Sequence, residues 1–454
     1  MFYLTRENLS FEFNTVLRTD QLISQNNIII DRNSCFFSIQ DNNLYYKVYD
    51  ETTNEYTRRI NIFEPNNPLI DSNFKLEIAR ASHNLFCFKD KNERNLAMGG
   101  INLWNDVDKN KKYVDGLYLF EVLENEINCL NDNKPIITKN TIGNYDGFYG
   151  TNQDKTDIEK CRNGIMKFDS TGSVIFNEKE NMYFLYHRAN PISGCRLVQY
   201  SKSSDLIHWS EFNLINLDII KEYAPINIYY SNFFKVPNTD IVIGILPFCD
   251  TRERKLTTKL FNGIGRLKNM NLIKTNTPQV YVNKFIVCYS YDFVNFKYVG
   301  DLYSTQSYDL ENLFLSTNYP KILDNKMYIY LSVLNKQILE VYTLGLNRFF
   351  YLTNNNYEES QIKTKLIELE NNSIKMNLTV NPDGYLIAEL YYENNEMITG
   401  FDFNNFDRLV NVDSTDVTVS WNSVSEISVD KVFMKIKFYK SKIYTIGGKC
   451  LLVS

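Results

Sequence analysis

The sequence is poor in histidine and lacks the spacings that hold metals or nucleotides. Only three histidines occur among 454 residues, at His83, His187 and His208, and the eight cysteines form no CxxC pair. No HExxH, P-loop or dinucleotide-binding glycine motif is present. These absences argue against a catalytic zinc and against a nucleotide cofactor. We therefore predict no metal and no cofactor, and we expect the cysteines to be free thiols in a reducing compartment.

Long apolar runs and basic runs are also missing. No stretch of about 18 apolar residues occurs, which argues against a membrane span. The first residues, MFYLTRENLSFEFN, lack the charged start and apolar core of a signal peptide. The net charge of −5 without a basic run argues against a nucleic-acid partner. Frequent Asn, Ile, Lys, Tyr and Phe are typical of an AT-rich genome, such as that of a large DNA virus. We expect a cytoplasmic or virion-associated protein, and the sequence predicts no particular oligomeric state.

Strand patterns and a repeated phrase are what the sequence does contain. Short β-branched and aromatic runs alternate with Asn, Asp and Gly turns throughout. Residues 202–209, KSSDLIHW, and 289–296, YSYDFVNF, share the pattern Ser-x-Asp-apolar-x-x-aromatic. Each phrase follows one apolar strand and precedes another. We predict that the Asp accepts hydrogen bonds from turn amides and that the aromatic residue packs between sheets.

Repeated units of three or four strands predict a propeller, and the tail predicts a sandwich. The fold class is all-β: a five-bladed β-propeller followed by a C-terminal β-sandwich. Within the sandwich, we predict turns at residues 381–384 and 394–395 that connect consecutive strands. The predicted propeller units are roughly 31–62, 80–138, 168–216, 226–303 and 314–352. The predicted domains are an N-terminal extension packing on the propeller (1–30), the propeller (31–352) and the sandwich (353–454).

Two long segments resemble a known group of enzymes. Residues 173–209, SVIFNEKENMYFLYHRANPISGCRLVQYSKSSDLIHW, resemble a central blade of the five-bladed propeller glycosidases related to invertases, levansucrases and arabinanases. Residues 376–422, together with VFMKIKFYKSKIYTI, resemble the β-sandwich appended to many such proteins. The resemblance implies a glycoside hydrolase-like, carbohydrate-active protein with a sugar pocket at the propeller mouth. Carbohydrate is the partner that it implies.

The resemblance also implies three catalytic acids on the innermost strands. An Asp acts as nucleophile or base, a second Asp steadies the transition state, and a Glu is the general acid. The first position matches Asp31 in IIIDRNSCFF, without the family's Pro. The second matches Asp169 in KFDSTGSVIF, without the preceding Arg and the following Pro. Each Asp has a second interpretation, as a turn residue before its strand.

The general-acid Glu is the clearest departure from the family pattern. Its expected position, in IYYSNFFKVP, holds Tyr229, Tyr230 and Ser231. Without a protonatable carboxyl group, acid-assisted cleavage should be severely impaired. Asp250 and Glu253, after IVIGILPF, are the candidates for a substitute acid.

Five residues are candidates for sugar contact. His83 and Asn84 precede an apolar strand in ARASHNLFCF, His187 and Arg188 end one in LYHRANP, and Tyr230 begins the fourth unit. Arg188 can hold sugar hydroxyls, or it can pair with Asp169 within the fold.

Three functions stay open on the sequence alone. The first is a glycoside hydrolase-like protein, degenerate if the acid is lost. The second is a non-catalytic glycan-binding module, and the third is a virion or structural protein. Fold alone does not choose among these functions.

Overall fold

A computed structural model describes most of the chain, and its regular structure is almost entirely β. Short 3₁₀ turns lie at Arg6–Asn8, Asn131–Asn133 and Asp218–Lys221. No helix in the described part of the chain is long and apolar enough to cross a membrane. The described residues are 1–25, 28–29, 37–40, 43–48, 56–61, 75–76, 85–101, 116–123, 126–138, 170–189, 197–221, 226–228, 230–237, 239–250, 284–304, 313–315, 320–333 and 338–451.

Within the described residues, five sheets follow one another along the chain, numbered here first to fifth. The first holds β6 (Phe37–Gln40), β7 (Asn43–Val48) and β8 (Tyr56–Asn61). The second holds β9 (Lys75–Leu76), β10 (Phe86–Lys89), β11 (Asn95–Ile101), β12 (Gly116–Val122), β13 (Glu126–Cys129) and β14 (Ile137–Thr138). The third holds β15 (Ser173–Asn177), β16 (Met182–Ala189), β17 (Leu197–Ser203) and β18 (Asn213–Leu214).

The fourth and fifth sheets are built in the same way. The fourth holds β19 (Asn216–Leu217), β20 (Ile226–Ile228), β21 (Phe233–Lys235), β22 (Val242–Asp250), β23 (Lys284–Ser290) and β24 (Asn295–Ser304). The fifth holds β25 (Leu313–Leu315), β26 (Lys321–Leu323), β27 (Lys326–Val333) and β28 (Ile338–Gly345), with β4 (Ile23–Ser24) and β5 (Ile28–Ile29) added at its outer edge.

The sheets have a propeller-like arrangement. Successive main strands within each sheet pair antiparallel, as in β15, β16 and β17. The inner strands of neighbouring sheets lie side by side, β6 against β10, β10 against β15, and β15 against β21. The predicted all-β, propeller-like fold is confirmed; the number of blades and the exact domain limits stay predictions.

The remaining strands form a ten-stranded C-terminal sheet over its own core. The sheet holds β1 (Phe2–Tyr3), β2 (Leu9–Phe13), β3 (Thr15–Thr19), β29 (Phe350–Asn354), β30 (Ser360–Thr364), β31 (Ile367–Glu368), β32 (Lys375–Tyr391), β33 (Val412–Thr418), β34 (Lys431–Ile446) and β35 (Lys449–Cys450). The long strand β34 pairs with β32 on one side and with β31, β30, β29 and β1 on the other. Trp421 is buried in this core and donates from Nε1 to the Ala388 carbonyl at 2.9 Å.

The N-terminal segment joins the two parts of the chain. Residues 1–30 contact the propeller: β4 and β5 pair with β28, and the Tyr289 hydroxyl of the fourth sheet donates to Glu7. The same segment also pairs, through β1, β2 and β3, with β34, β30 and β29 of the C-terminal sheet, which the prediction did not include. β29 also crosses the predicted limit at residue 352 and belongs to the C-terminal sheet. Strand pairing across more than 300 residues has no local sequence signal.

The predicted turn at residues 381–384 is wrong. β32 continues through these residues, and the register with β34 shifts between Val380 and Tyr385. A bulge therefore takes up the Asn-Pro-Asp-Gly segment. Lys440 on the facing strand has φ of 46°, and its ammonium group forms an ion pair with Asp383.

The two repeated phrases form nearly identical turns, as predicted. Asp205 Oδ1 accepts from the amides of Ile207 and His208 at 2.9 and 2.8 Å. Asp292 Oδ1 accepts from the amides of Val294 and Asn295 at 3.0 and 2.7 Å.

The residue after each Asp has positive φ and is buried. Leu206 packs against the second sheet, and Phe293 packs against the third. Each turn thus fixes a sheet to the one before it.

Candidate sugar-binding site at the propeller mouth

The inner strands of three neighbouring sheets begin at one end of the propeller, called the mouth here. An added Cβ on Gly172, just before β15, would lie 2.9 Å from the Phe86 ring at the start of β10. The Ser173 hydroxyl, at the start of β15, donates to the Ser231 carbonyl at 3.0 Å. It also accepts from the Phe233 amide, at the start of β21, at 2.9 Å. These contacts align the starts of β10, β15 and β21.

His187 supports the backbone at the mouth. Its side chain is buried in β16, and Nε2 lies 3.0 Å from the Ser170 carbonyl. Because a carbonyl only accepts, Nε2 carries the hydrogen in this contact. Ser170 directly follows Asp169 in the sequence. The structure therefore gives His187 a role in holding the backbone that precedes β15.

Arg188 lies on the opposite side of β16 from His187. Side chains alternate along a strand, so Arg188 shares a side with Tyr186, which packs on Phe233 of the fourth sheet. Arg188 is buried, and its carbonyl accepts from Gln199 Nε2 at 3.2 Å. The Tyr186 hydroxyl donates to the Phe293 carbonyl at 2.8 Å, and burial raises the pKa of Tyr186 well above its usual value. Arg188 is thus set between the third and fourth sheets.

Residues 230–232 interrupt the inner strand of the fourth sheet with buried polar groups. Tyr230, Ser231 and Asn232 lie between β20 and β21 and are exposed by 2%, 1% and 6%. Within the described residues, Ser231 Oγ and Asn232 Oδ1 have no hydrogen-bond partner. A buried polar atom without a partner costs about 1–3 kcal/mol. These two oxygen atoms are therefore not used by hydrogen bonds within the described part of the chain.

The other predicted site residues have different outcomes. Asp31, His83, Asn84, Asp169 and Glu253 lie outside the described residues. Their roles stay predictions.

The backbone of Asp250 is described, and its role as a substitute acid stays a prediction. Asp250 ends β22 and pairs with Ile226, the first residue of β20. Asp250 therefore lies beside the start of β20, the strand that precedes Tyr230 in the chain. No cluster of three His, Cys, Asp or Glu side chains suited to a metal occurs among the described residues.

Sequence reasoning did not single out Ser173 or Asn232, and it named Ser231 only as a residue at the position of the expected Glu. The available signal was the polar Ser-Asn step inside the apolar run INIYYSNFFKV. A polar pair within an inner strand has to find partners or line a pocket. Ser173 left no such signal, because a serine at a strand start is common.

Comparisons with known proteins add only distant structural likenesses. No protein-family model and no curated protein sequence matches the chain. An N-acetylgalactosamine deacetylase from F. plautii, solved with blood group B trisaccharide, shares 8% identity at a TM-score of 0.38, covering 94% of both chains. A glycoside hydrolase family 43 arabinoxylan arabinofuranohydrolase from Bacillus subtilis has 10% sequence identity and a TM-score of 0.37, and the match covers 92% of this chain and 96% of that one. A glycoside hydrolase family 32 β-fructofuranosidase from Bombyx mori has 11% sequence identity and a TM-score of 0.35, and the match covers 93% of both chains. The fold assignment rests on the strand pairing described above.

Proposed function

We propose that the protein binds a neutral glycan at the propeller mouth and is a glycoside hydrolase-like protein with impaired hydrolysis. The observation that carries the proposal is the buried pair Ser231 and Asn232. Their side-chain oxygen atoms have no hydrogen-bond partner among the described residues. Ser231 is at the position where the resemblance implies a general-acid Glu, and Asn232 follows it. A hydroxyl and an amide can hold sugar hydroxyls, but neither can protonate a leaving oxygen near neutral pH.

The surrounding groups suit a sugar pocket. Sugar sites combine apolar or aromatic walls with a few fixed polar groups. Tyr230 and Phe86 are buried aromatic rings at this end of the propeller, and Arg188 is a buried cation of β16. His187 and Ser173 hold the backbone of this region, and glycan binding requires the buried oxygen atoms of Ser231 and Asn232 to become accessible.

A weak hydrolase is the second candidate, and the position of Asp250 supports it. In this version Asp31 is nucleophile or base, Asp169 steadies the developing charge, and Asp250 replaces the missing Glu as proton donor. β22 brings the Asp250 backbone beside Ile226, on the inner strand that leads to Tyr230. A cytoplasmic or virion-associated location remains part of the proposal.

A glycan array of neutral furanosides and pyranosides, with hydrolysis measured on every hit, tests the proposal. Asn232→Ala and Ser231→Ala should each weaken binding about tenfold, the loss of one buried hydrogen bond with its partner left unmade. Tyr357→Phe is the control, because Tyr357 is 89% exposed. Turnover that disappears in Asp169→Asn and in Asp250→Asn would replace the binding proposal with the hydrolase. No binding to any glycan would reject both.

A further inference from the structure

One face of the C-terminal sheet carries lysines and aromatic rings in rows. Along β34, Lys435 and Lys437 alternate with the fully buried Ile436, so both lysines point away from the core. Across β2, β30 and β34, Phe11 pairs with Lys363, and Lys363 pairs with Lys435. In the neighbouring row, Phe13 pairs with Gln361, and Gln361 pairs with Lys437. Together with Arg408, these side chains form a surface called the lysine–aromatic face below.

The face carries more positive than negative charge: the carboxylates beside its cations are Glu389 and Glu359, which accept from the Tyr391 and Tyr385 hydroxyls. Lys435 pairs with Glu389 at 3.2 Å. Lys363, Lys437 and Arg408 form no ion pair with any carboxylate among the described residues, although Lys363 donates to Asn395 Oδ1 at 2.7 Å. Burial, and then the neighbouring charge of Lys435, lower the pKa of Lys363. The whole chain has a net charge of −5, so this positive field is local.

Aromatic rings hold these cations in place. The Lys363 ammonium lies 4.7 Å from the Tyr391 ring centroid and 5.0 Å from that of Phe433. The Lys437 ammonium lies 4.8 Å from the Phe403 ring, and the Arg408 guanidinium lies 4.4 Å from the Tyr385 ring. These cation–π contacts limit the motion of each side chain. An anion binding here therefore meets cations that are already ordered.

Two exposed phenylalanines border the cations on an edge strand. Phe11 and Phe13 are 48% and 57% exposed, and they lie on the same side of β2, about 6.8 Å apart along the strand. Within the described residues, β2 pairs only with β30. Large apolar rings are seldom this exposed on a protein surface. Here they lie beside cations that form no ion pair within the described residues, in a protein whose net charge is negative.

We propose that the lysine–aromatic face binds an acidic polysaccharide, in which sugar rings carry carboxylate or sulfate groups. The acidic groups would pair with Lys363, Lys437 and Arg408, and the apolar faces of the sugar rings would cover Phe11 and Phe13. A second copy of the chain is disfavoured, because two identical cationic faces repel. Duplex DNA is disfavoured relative to a polyuronate, because DNA carries its charges more densely and the chain's net charge of −5 repels the denser polyanion more strongly.

The experiment measures binding of polygalacturonate to the full chain by calorimetry, beside the variant Lys363→Gln/Lys437→Gln. We expect the variant to bind about tenfold more weakly, and Phe11→Thr/Phe13→Thr to bind several-fold more weakly. The matched control is Lys375→Gln/Lys449→Gln, which removes the same charge from the same sheet away from the face. Raising the salt concentration from about 0.05 to 0.5 M should weaken binding by the wild type more than by the lysine variant.

Several outcomes would overturn the assignment. Equal affinity of the lysine variant and its control would show that the face is not the site. Tighter binding of oligo-dT or polyglutamate than of polygalacturonate would assign the face to nucleic acid or acidic peptide. A wild-type dimer in sedimentation that dissociates in Phe11→Thr/Phe13→Thr would assign it to a second copy. Because the mouth variants Ser231→Ala and Asn232→Ala leave this face intact, its success or failure is separate from that of the proposed neutral-glycan site.

Discussion

The Ser173 hydroxyl donates to the Ser231 carbonyl at 3.0 Å and thereby joins the inner strands of two neighbouring propeller sheets. The same oxygen accepts from the Phe233 amide at 2.9 Å. Ser173 is 1% exposed, so water does not replace these bonds when the side chain is removed. The Ser173 hydroxyl therefore supports the backbone of Ser231, while the Asn232 carbonyl also accepts from the Ile245 amide at 2.9 Å.

Ser173→Ala should destabilise the protein by about 1–3 kcal/mol, because it leaves a buried amide and carbonyl without partners. It should also weaken glycan binding, since the segment that follows Tyr230 loses its support. Denaturant unfolding and glycan titration measure the two effects. Ser10→Ala, which removes a 2.9 Å bond to the Thr364 carbonyl at an edge strand, should change stability less and leave glycan binding unchanged. Equal effects of the two variants on binding would contradict the role of Ser173.

Gly172→Ala should disturb the mouth through packing. A Cβ there would lie 2.7 Å from the Tyr186 carbonyl oxygen and 2.9 Å from the Phe86 ring, so backbone or ring must shift. We expect a loss of about 1–3 kcal/mol in the free energy of unfolding. Gly300→Ala is the comparison, because its nearest neighbours are Thr19 side-chain atoms at 3.3 Å. A smaller loss of unfolding free energy for Gly172→Ala than for Gly300→Ala would contradict the close contact of Gly172 with Tyr186 and Phe86.

The repeated turns give a paired prediction. Asp205→Ala and Asp292→Ala should each cost about 1–2 kcal/mol, because each removes an acceptor shared by two backbone amides. Asp205→Asn and Asp292→Asn keep an acceptor oxygen and should cost less. Asp416→Ala, at an exposed ion pair with Lys375, is the control with little expected effect. Thermal unfolding of the five variants orders them, and an unchanged midpoint in both Ala variants would contradict the account.

Acid should weaken the contact between the N-terminal segment and the fourth sheet. Burial disfavours ionised Glu7, but hydrogen bonds from Lys297 and from the Tyr289 hydroxyl, the latter at 2.6 Å, outweigh burial and lower the pKa of Glu7. A carboxyl group whose pKa is lowered on folding stabilises the folded state above its pKa in the unfolded chain, about 4.3. This stabilisation is lost as the pH falls through the pKa in the folded chain.

Glu7→Gln should therefore destabilise the protein by about 1 kcal/mol at pH 7, and the difference from wild type should shrink below about pH 4. Chemical unfolding across this pH range measures the difference. Glu370→Gln is the control, because Glu370 is 60% exposed and lies 3.7 Å from the N-terminal amine. A difference for Glu7→Gln that stays constant from pH 7 to pH 3 would contradict the lowered pKa.

The sequence predicted the features that depend on short stretches of chain. The Ser-x-Asp phrase predicted the hydrogen bonds of Asp205 and Asp292, because all donors lie within three residues. The chain order of the sheets followed from strand patterns. Pairing between β2 and β30 could not be predicted, because it joins residues more than 340 positions apart. The Asn-Pro-Asp-Gly segment has strong turn propensity, but the pairing of β32 with β34 on both sides of it overrides that propensity.

For the site, the predicted sugar contacts and catalytic roles stay predictions, and the folded chain adds contacts that the sequence does not show. His187 was predicted to touch sugar, yet its Nε2 contacts the Ser170 carbonyl. Ser231 and Asn232 emerged only from burial, because lack of a partner is a property of the folded chain and not of the residue type.

Product analysis of the tightest-binding neutral glycan, incubated with wild type, Asn232→Ala and Asp250→Asn, tests the central claim most directly. We predict that wild type binds the glycan and releases no product, and that Asn232→Ala binds about tenfold more weakly. Product release by wild type that stops in Asp250→Asn would contradict the claim and establish a hydrolase with a substitute acid.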